Sequence, residues 1–259
     1  MYEVPPMERF ASFDGTQIAY VEAADGPAVL LLHGFAADHR ANWVVPGVFD
    51  ALVAAGHRVI AFDARGHGES EKPHDPAAYA GDAMANDARA LLDHLGVDAV
   101  AVVGYSMGAI VASRLVPEEP RARALVLGGI GGRLAAGSPV TRRSEIAEAL
   151  LADNPRSLTN VAAKAFRRFA DRTGADRHAL AAIQRAPLAE GPSRFGDIHV
   201  PTLVIVGAGD TLAGDPQALA DRIPGATAHI VGGDHLTAVA DPAFRTTIVD
   251  FLARIPHTP

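Results

Sequence analysis

The chain contains no cysteine among its 259 residues. This absence excludes disulfides, iron–sulfur clusters, thiolate zinc sites and cysteine nucleophiles. Runs of about 18 consecutive apolar residues are also missing, so no segment is expected to cross a membrane as a helix. Residues 1–9 lack the basic stretch and apolar run of a secretory signal, and we therefore expect a cytoplasmic protein.

Basic residues are in the minority, because 23 Lys and Arg against 30 Asp and Glu give a formal net charge of −7. Proteins that bind nucleic acid gain affinity by neutralising phosphates, so this balance argues against such a partner. Apolar residues, in contrast, make up 49% of the chain. A chain of this length buries roughly three quarters of its unfolded surface, which is enough to fold without a disulfide or metal. We expect a globular protein with one or two domains.

The pattern of apolar residues predicts an α/β fold. Near the N-terminus, alternating segments at 9–13 and 17–21 flank Asp14-Gly15, which is a strong hairpin signal. Downstream, short apolar runs bounded by Gly, Asp or Pro are typical of strands buried on both faces. These runs are 28–32, 59–62, 99–103, 124–127 and 203–206. Helix-like stretches lie between them, which predicts a mostly parallel twisted sheet with an N-terminal antiparallel hairpin and helices on both faces.

The alternation of strands and helices stops between residues 132 and 195, where prolines recur and the remaining pattern is helical. Within 157–172 the apolar residues recur at helical spacing, which predicts one amphipathic helix. Asn154 and Pro155 are interpreted as its N-cap and first residue. We therefore predict a small helical unit, 132–195, inserted into an α/β core that consists of residues 1–131 and 196–259.

The strongest functional signal is Gly104-Tyr105-Ser106-Met107-Gly108, which lies between a strand-like and a helix-like run. G-x-S-x-G at a strand-to-helix turn is the pattern of a nucleophile elbow. The glycines leave room for a tight turn, and the strained serine presents its hydroxyl above the sheet edge. The following helix N-terminus would offer backbone N–H groups to a developing oxyanion. Ser106 is therefore the predicted nucleophile.

A serine hydroxyl needs a base and a group that orients the base. In elbow enzymes the order along the chain is Ser, then Asp or Glu, then His, and five of the eleven histidines follow Ser106. His235 is the predicted base, because it lies in a glycine-rich loop directly after a strand-like run, where sites of open α/β sheets form. Asp210, at the end of another such run, is the predicted acid. Asp215 is the alternative acid, although its position suits an N-cap.

An oxyanion hole needs two backbone donors, one from the residue after the nucleophile and one from the loop after an early strand. Met107 satisfies the first description. Phe35 satisfies the second, because it follows the strand-ending His33-Gly34 turn. His33 is interpreted as a structural residue that forms hydrogen bonds within this loop.

These residues give the chain a resemblance to the α/β-hydrolase fold superfamily. The resemblance extends from about residue 10 to residue 255. It rests on the His33-Gly34-Phe35 motif, the turn 63–70 with the sequence DARGHGES, and the serine elbow, in that order. By this resemblance the turn 63–70 is mainly structural and 132–195 is the helical cap of the family.

The resemblance implies a serine hydrolase that cleaves carboxylic esters of small molecules, or lactones, through an acyl-enzyme intermediate. Ser106, Asp210 and His235 would form the catalytic triad, and no cofactor or metal is required. Epoxide hydrolases and haloalkane dehalogenases of this fold carry aspartate at the elbow, so those activities are not expected. Carbon–carbon bond hydrolases and enol-lactonases share the triad and are alternatives, as is a slow-turnover ligand sensor that retains it.

The substrate is less well defined by the sequence. Phe35, Trp43, Phe166 and Phe169 are candidates for an apolar acyl pocket, although aromatic residues on an amphipathic face more often belong to the core. The charge is unevenly divided, since 133–195 carries 11 basic and 6 acidic residues, a net charge of +5, and the rest of the chain −12. One interpretation is a solvated cap face, because the cations of the predicted helix avoid its apolar stripe: Lys164, Arg167, Arg168 and Arg172. The other is a positive cap that favours substrates bearing a carboxylate.

Overall fold

A computed structural model of the chain describes residues 4–136, 143–155, 158–187 and 194–256. The strands in these ranges are β1 Glu8–Ala11, β2 Gln17–Ala23, β3 Ala28–Leu32, β4 Arg58–Phe62, β5 Val100–Tyr105, β6 Ala122–Gly128, β7 Thr202–Gly207 and β8 Thr227–Val231. They form an eight-stranded sheet in the order β1-β2-β4-β3-β5-β6-β7-β8. β1 is antiparallel to β2 and β2 to β4, whereas every other pairing is parallel. The predicted hairpin and mostly parallel sheet are confirmed.

Helices cover both faces of this sheet. They are α1 Val48–Ala54, α2 Ala83–His94, α3 Met107–Leu115, α4 Gly132–Ala135, α5 Arg143–Leu151, α6 Val161–Thr173, α7 Arg177–Arg185, α8 Pro216–Ala220 and α9 Pro242–Leu252. The central strands are buried on both sides, since Leu30 belongs to one apolar cluster while Val29 and Leu31 belong to another. This explains why the strands appear in the sequence as continuous apolar runs. Among the described residues, every helix is too short or too polar to span a bilayer.

Helices α5, α6 and α7, which we name the insertion helices, lie in the chain between β6 and β7, and α5 packs against both α6 and α7. α6 begins at Val161, and its N-cap is Asn160, whose Oδ1 accepts the Ala163 N–H at 3.0 Å. The assignment of Asn154 and Pro155 to this helix start is therefore wrong. Both residues lie at least six positions before the first residue of the helix, Val161. Asn160, in contrast, bonds to the Ala163 N–H, one of the first N–H groups of the helix, which have no partner inside it.

Arg167 shows that the charged side of α6 is not uniformly solvated. Its side chain is buried and its Nη1 donates to the carbonyl oxygens of Ala149 at 2.9 Å and Ala152 at 2.7 Å. Its Nε bonds to the Asp171 carboxylate at 3.0 Å. The guanidinium thus supplies donors to the C-terminal end of α5, where helix carbonyls lack intrahelical partners. The expectation that Arg167 belongs to a solvated face is wrong for this residue.

Candidate active site

Ser106 lies at the sharp turn between β5 and α3, with φ 51° and ψ −110°. A positive φ is unusual for a residue with a side chain and persists only where the surroundings enforce it. Those surroundings are close backbone contacts: a Cβ at Gly104 would lie 2.3 Å from the Gly108 carbonyl oxygen, and one at Gly108 would lie 2.0 Å from that of Leu32. Both glycines of the motif are therefore required by space, and the turn has the predicted shape of an elbow.

The structure brings together the three side chains that the sequence places in different segments. Ser106 Oγ lies 2.9 Å from His235 Nε2, and His235 Nδ1 lies 2.8 Å from Asp210 Oδ2. The other oxygen of Asp210 accepts the N–H groups of Leu212 at 3.0 Å and Ala213 at 2.9 Å. The Asp210 carboxylate is fully buried and the His235 ring is only 11% exposed. A carboxylate at Nδ1 fixes the proton there, which leaves Nε2 free to accept the serine proton.

Asp215, the alternative acid, and Asp234, the residue before the histidine, have different partners. Asp215 is the N-cap of α8 and accepts the Gln217 N–H at 2.9 Å. Asp234 accepts from the Thr237 hydroxyl at 2.7 Å and from the Leu236 N–H at 3.0 Å. The Thr237 hydrogen bond is the main reason that the pKa of Asp234 is lowered. Within the described chain, Asp210 is the carboxylate that bonds to the histidine ring.

Tyr105 is a site residue that the sequence reasoning missed. Its buried hydroxyl donates to the backbone carbonyl of His235 at 2.7 Å. Burial raises the pKa of Tyr105, so the phenol remains a hydrogen-bond donor over the physiological range. The elbow motif permits any residue at this position, and the partner lies 130 residues away, so no local signal indicates the contact.

The two predicted oxyanion donors belong to residues next to parts of the elbow. Met107 follows Ser106 and is the first residue of α3, whereas Phe35 follows Gly34, on which a Cβ would lie in van der Waals contact with Ser106 Cβ at 3.5 Å. Neither the Phe35 N–H nor the Met107 N–H donates to any group in the described ranges of the chain. Two unpaired N–H groups beside a serine are what an oxyanion requires.

Two neutral histidines hold the loop that carries Phe35 against the 63–70 turn. His33 Nε2 accepts the Ala64 N–H at 3.0 Å. His67 Nε2 accepts the Ala36 N–H at 3.2 Å, and its Nδ1 donates to the Arg65 carbonyl at 3.1 Å. Burial lowers the pKa of both rings, to about 3 for His67. These contacts agree with the structural interpretation of His33 and of the turn.

The predicted pocket aromatics separate into two groups. Phe35 meets Phe166 edge-on at a ring-centroid distance of 5.7 Å, and the half-buried Phe166 and Phe169 pack in the same apolar cluster as Phe35 and Met107. Trp43 instead has no exposed surface. It packs in the apolar core cluster that contains Val29 and Leu31 of the sheet, which is separate from the cluster of Phe35. The structure therefore assigns Trp43 to the core rather than to a pocket wall, the alternative that the sequence left open.

The cations of the insertion helices also differ in their contacts. Arg172 is exposed, and its guanidinium carbon lies 5.1 Å from the centre of the Phe169 ring. Arg177 lies 3.9 Å from the Asp171 carboxylate.

Within the described ranges, no three His, Asp or Glu side chains lie together in a way that could hold a metal ion.

Comparisons with known proteins bear on this geometry. The family model of the alpha/beta hydrolase fold matches residues 27–186. RutD of Variovorax paradoxus, whose name assigns it provisionally as a carbamate hydrolase, is 34% identical over 258 residues that cover 90% of this chain and 94% of RutD. Hydrolysis is the class of reaction that these matches support.

Solved structures of similar proteins agree. A hydrolase from Pseudomonas aeruginosa PA01 is 28% identical with a TM-score of 0.73, covering 95% of this chain and 98% of that one. The esterase RhEst1 from Rhodococcus sp. ECU1013 is 25% identical with a TM-score of 0.77, covering 96% and 99%. Because the family model spans more than half of the chain and RutD aligns with nearly all of it, the chain belongs to the α/β-hydrolase fold family.

Proposed function

We propose that the protein hydrolyses carboxylic esters of small molecules, lactones included, with Ser106 as the nucleophile. The observation that carries this proposal is the continuous hydrogen-bonded series from Ser106 Oγ through the His235 ring to the Asp210 carboxylate, with links of 2.9 and 2.8 Å. The similarity to the esterase RhEst1 over almost the whole chain supports an ester as the substrate class.

In the proposed reaction, the Ser106 hydroxyl attacks the acyl carbon while His235 Nε2 accepts its proton. Asp210 stabilises the imidazolium that forms, and the N–H groups of Phe35 and Met107 bind the tetrahedral oxyanion. Protonated His235 then donates to the leaving alcohol, and the carbonyl bond reforms as an acyl-enzyme. Water, deprotonated by the same histidine, attacks the acyl carbon, and release of the acid restores the Ser106 hydroxyl.

The insertion helices are proposed to form the cap over this site. Phe166 and Phe169 supply apolar surface next to Phe35, which suits an acyl group or a non-polar alcohol.

The proposal is tested with p-nitrophenyl acetate and butyrate. Ser106→Ala should lose at least about 10³-fold in kcat, because removal of the nucleophile leaves only binding and oxyanion stabilisation. Ser113→Ala is the matched control, since that serine lies on the same helix and donates to the Ile110 carbonyl within it. An organophosphonate ester should phosphonylate Ser106 with loss of its leaving group in the wild-type protein and in Ser113→Ala, but not in Ser106→Ala. Undiminished hydrolysis by Ser106→Ala would refute the assignment, and turnover slower than minutes with saturable binding would favour a ligand sensor.

Carbamate hydrolysis is a second candidate, and the nearly full-length similarity to RutD favours it. The same nucleophile would attack a carbamate carbonyl, which is less electrophilic than an ester carbonyl. Paired aryl esters and aryl carbamates with the same leaving group distinguish the two, because the physiological class should have the larger kcat/KM relative to its uncatalysed rate. Rapid cleavage of a vinylogous diketone acid with slow ester turnover would instead favour a carbon–carbon bond hydrolase.

An anionic substrate is proposed as a preference within the ester class. Arg172 supports it, because this exposed cation stacks on Phe169 and has no carboxylate partner in the described ranges. Matched neutral and anionic esters should show a kcat/KM ratio that favours the anion at low salt and declines at high salt. Arg172→Gln should reduce that salt dependence, and an unchanged salt dependence in the variant would contradict the role of Arg172.

A further inference from the structure

The loop that carries Phe35 contains a strained turn. The Ala37 N–H donates to the Gly34 carbonyl at 3.2 Å, and the turn's third residue, Ala36, has φ 61°. Turns of this kind usually place glycine there, because a side chain is disfavoured at positive φ. Ala36 is also completely buried, so its backbone N–H and C=O both need partners from the protein. The surrounding contacts therefore determine whether this turn keeps its shape.

The two polar groups of Ala36 are held by different parts of the molecule. Its N–H donates to His67 on the 63–70 turn of the core at 3.2 Å. Its C=O lies 3.0 Å from the Thr173 hydroxyl at the C-terminal end of α6. An insertion helix thus reaches the residue directly after Phe35.

The Thr173 hydroxyl has one proton and three carbonyl oxygens within reach. Those of Phe169 and Ala170 lie 3.1 and 3.2 Å away, but both belong to α6, whose carbonyls accept from its own backbone, and the Ala170 oxygen also accepts the Ala175 N–H. For the Ala36 oxygen, the part of the chain that the structure describes provides no donor other than Thr173. We therefore assign the hydroxyl proton to the hydrogen bond with the Ala36 carbonyl oxygen. This is also the shortest of the three contacts.

We propose that Thr173 is a positioning residue for hydrolysis, and that docking of α6 completes the oxyanion hole. By holding the Ala36 carbonyl, Thr173 fixes the last peptide plane of the turn, which joins Ala36 to Ala37. The first peptide plane of the same turn joins Gly34 to Phe35 and contains the Phe35 N–H. Only two residues join these planes, so a rotation of one moves the other. The inference rests on the proposed function, because Phe35 is a donor to the oxyanion only in that reaction. A small misplacement of such a donor is costly because the hole is effective only when preorganised.

The test compares Thr173→Val, Thr173→Ser and the control Thr246→Val. Valine removes the hydroxyl but keeps the shape, so Thr173→Val should lower kcat about 10-fold, with KM changed less than about two-fold. It should weaken inhibition by an alkyl boronic acid, which forms a tetrahedral adduct on serine, by a similar factor. Thr173→Ser should restore both. Thr246 is exposed on α9 and lies 3.2 Å from two carbonyls of its own helix, so Thr246→Val loses the same intrahelical contacts without the loop contact.

Amide hydrogen exchange of the peptide that contains residues 33–37 provides a readout independent of turnover. Thr173→Val should accelerate this exchange at least about 10-fold, whereas Thr173→Ser and Thr246→Val should not. Unchanged exchange would overturn the proposal, and so would faster exchange with unchanged kcat, because Thr173 would then be structural only. If Ser106→Ala retains full ester hydrolysis, the proposed function fails, and the exchange result alone then decides whether α6 holds the turn.

Discussion

Acid should destabilise the protein through His67, and the variant His67→Gln tests this. The ring accepts the Ala36 N–H at Nε2 and donates to the Arg65 carbonyl from Nδ1, so it is held in one neutral tautomer. A glutamine amide can form the same two hydrogen bonds, with its oxygen as acceptor and its NH₂ as donor, but it does not titrate in this range. The substitution therefore separates the hydrogen bonds from the protonation.

The expected magnitude follows from the pKa. Burial lowers the pKa of His67 from 6.5 to about 3 in the folded protein, whereas the unfolded chain keeps the ordinary value. Between these two pH values the ring is protonated in the unfolded chain and neutral in the folded protein. The contribution of His67 to the free energy of unfolding is therefore fully present above pH 6.5 and is lost as the pH falls toward 3. From pH 7 to pH 5 the loss from His67 is about 2 kcal/mol, at 1.36 kcal/mol per pH unit below 6.5. The pKa of His33 is lowered in the same direction, and its contribution remains in the variant.

Urea unfolding at pH 7 and pH 5 measures this effect. The wild-type protein should lose about 2 kcal/mol more than His67→Gln between the two pH values. His229→Gln is the matched control, because His229 is exposed on β8. If His67→Gln and the wild type lose the same free energy of unfolding, the neutral buried ring is not the source of the acid sensitivity.

Three further variants test other contacts. Tyr105→Phe leaves the His235 carbonyl without its donor, which should cost about 1–3 kcal/mol in urea unfolding, and kcat should fall if the loop shifts. Equal stability of the variant would contradict this role. Arg167→Met keeps the buried stem but removes the donors to the C-terminal end of α5, and it should lower stability by about 2–4 kcal/mol, more than Arg168→Met on the exposed side. Gly108→Ala places a Cβ 2.0 Å from the Leu32 carbonyl oxygen, so it should abolish activity or folding, and a stable, active variant would contradict the close packing.

Much of the site was predictable because its signals are local. The elbow glycines are needed within a single turn, and the chain order of Ser106, Asp210 and His235 follows from the order of strands in the sheet. The central strands were located to within two residues, since burial on both faces produces continuous apolar runs. Asp215 also has the N-cap role that its position in the sequence suits.

Apart from the N-cap of α6, the features that sequence reasoning missed depend on how distant segments pack. Periodicity shows which side of α6 is polar, but not that Arg167 extends its guanidinium to carbonyls on α5. Composition identifies Trp43 as a large aromatic residue, but not which face of the sheet it reaches. The bond from Thr173 to Ala36 spans 137 positions and depends on how the insertion helices lie on the core. Such pairings follow from the packing of whole elements, which no local pattern specifies.

The sheet order also has a consequence for synthesis on the ribosome. β6 Ala122–Gly128 pairs on one side with β5, which precedes it, and on the other with β7 Thr202–Gly207. Roughly 70 residues separate the two strands, so at about 5–20 residues per second the far edge of β6 remains without its partner for about 4–14 s. An unpaired edge of buried residues such as Val126 and Leu127 can pair with other chains. During this interval Ser106 has been synthesised, His235 has not, and the open edge of β6 is available for pairing with another chain.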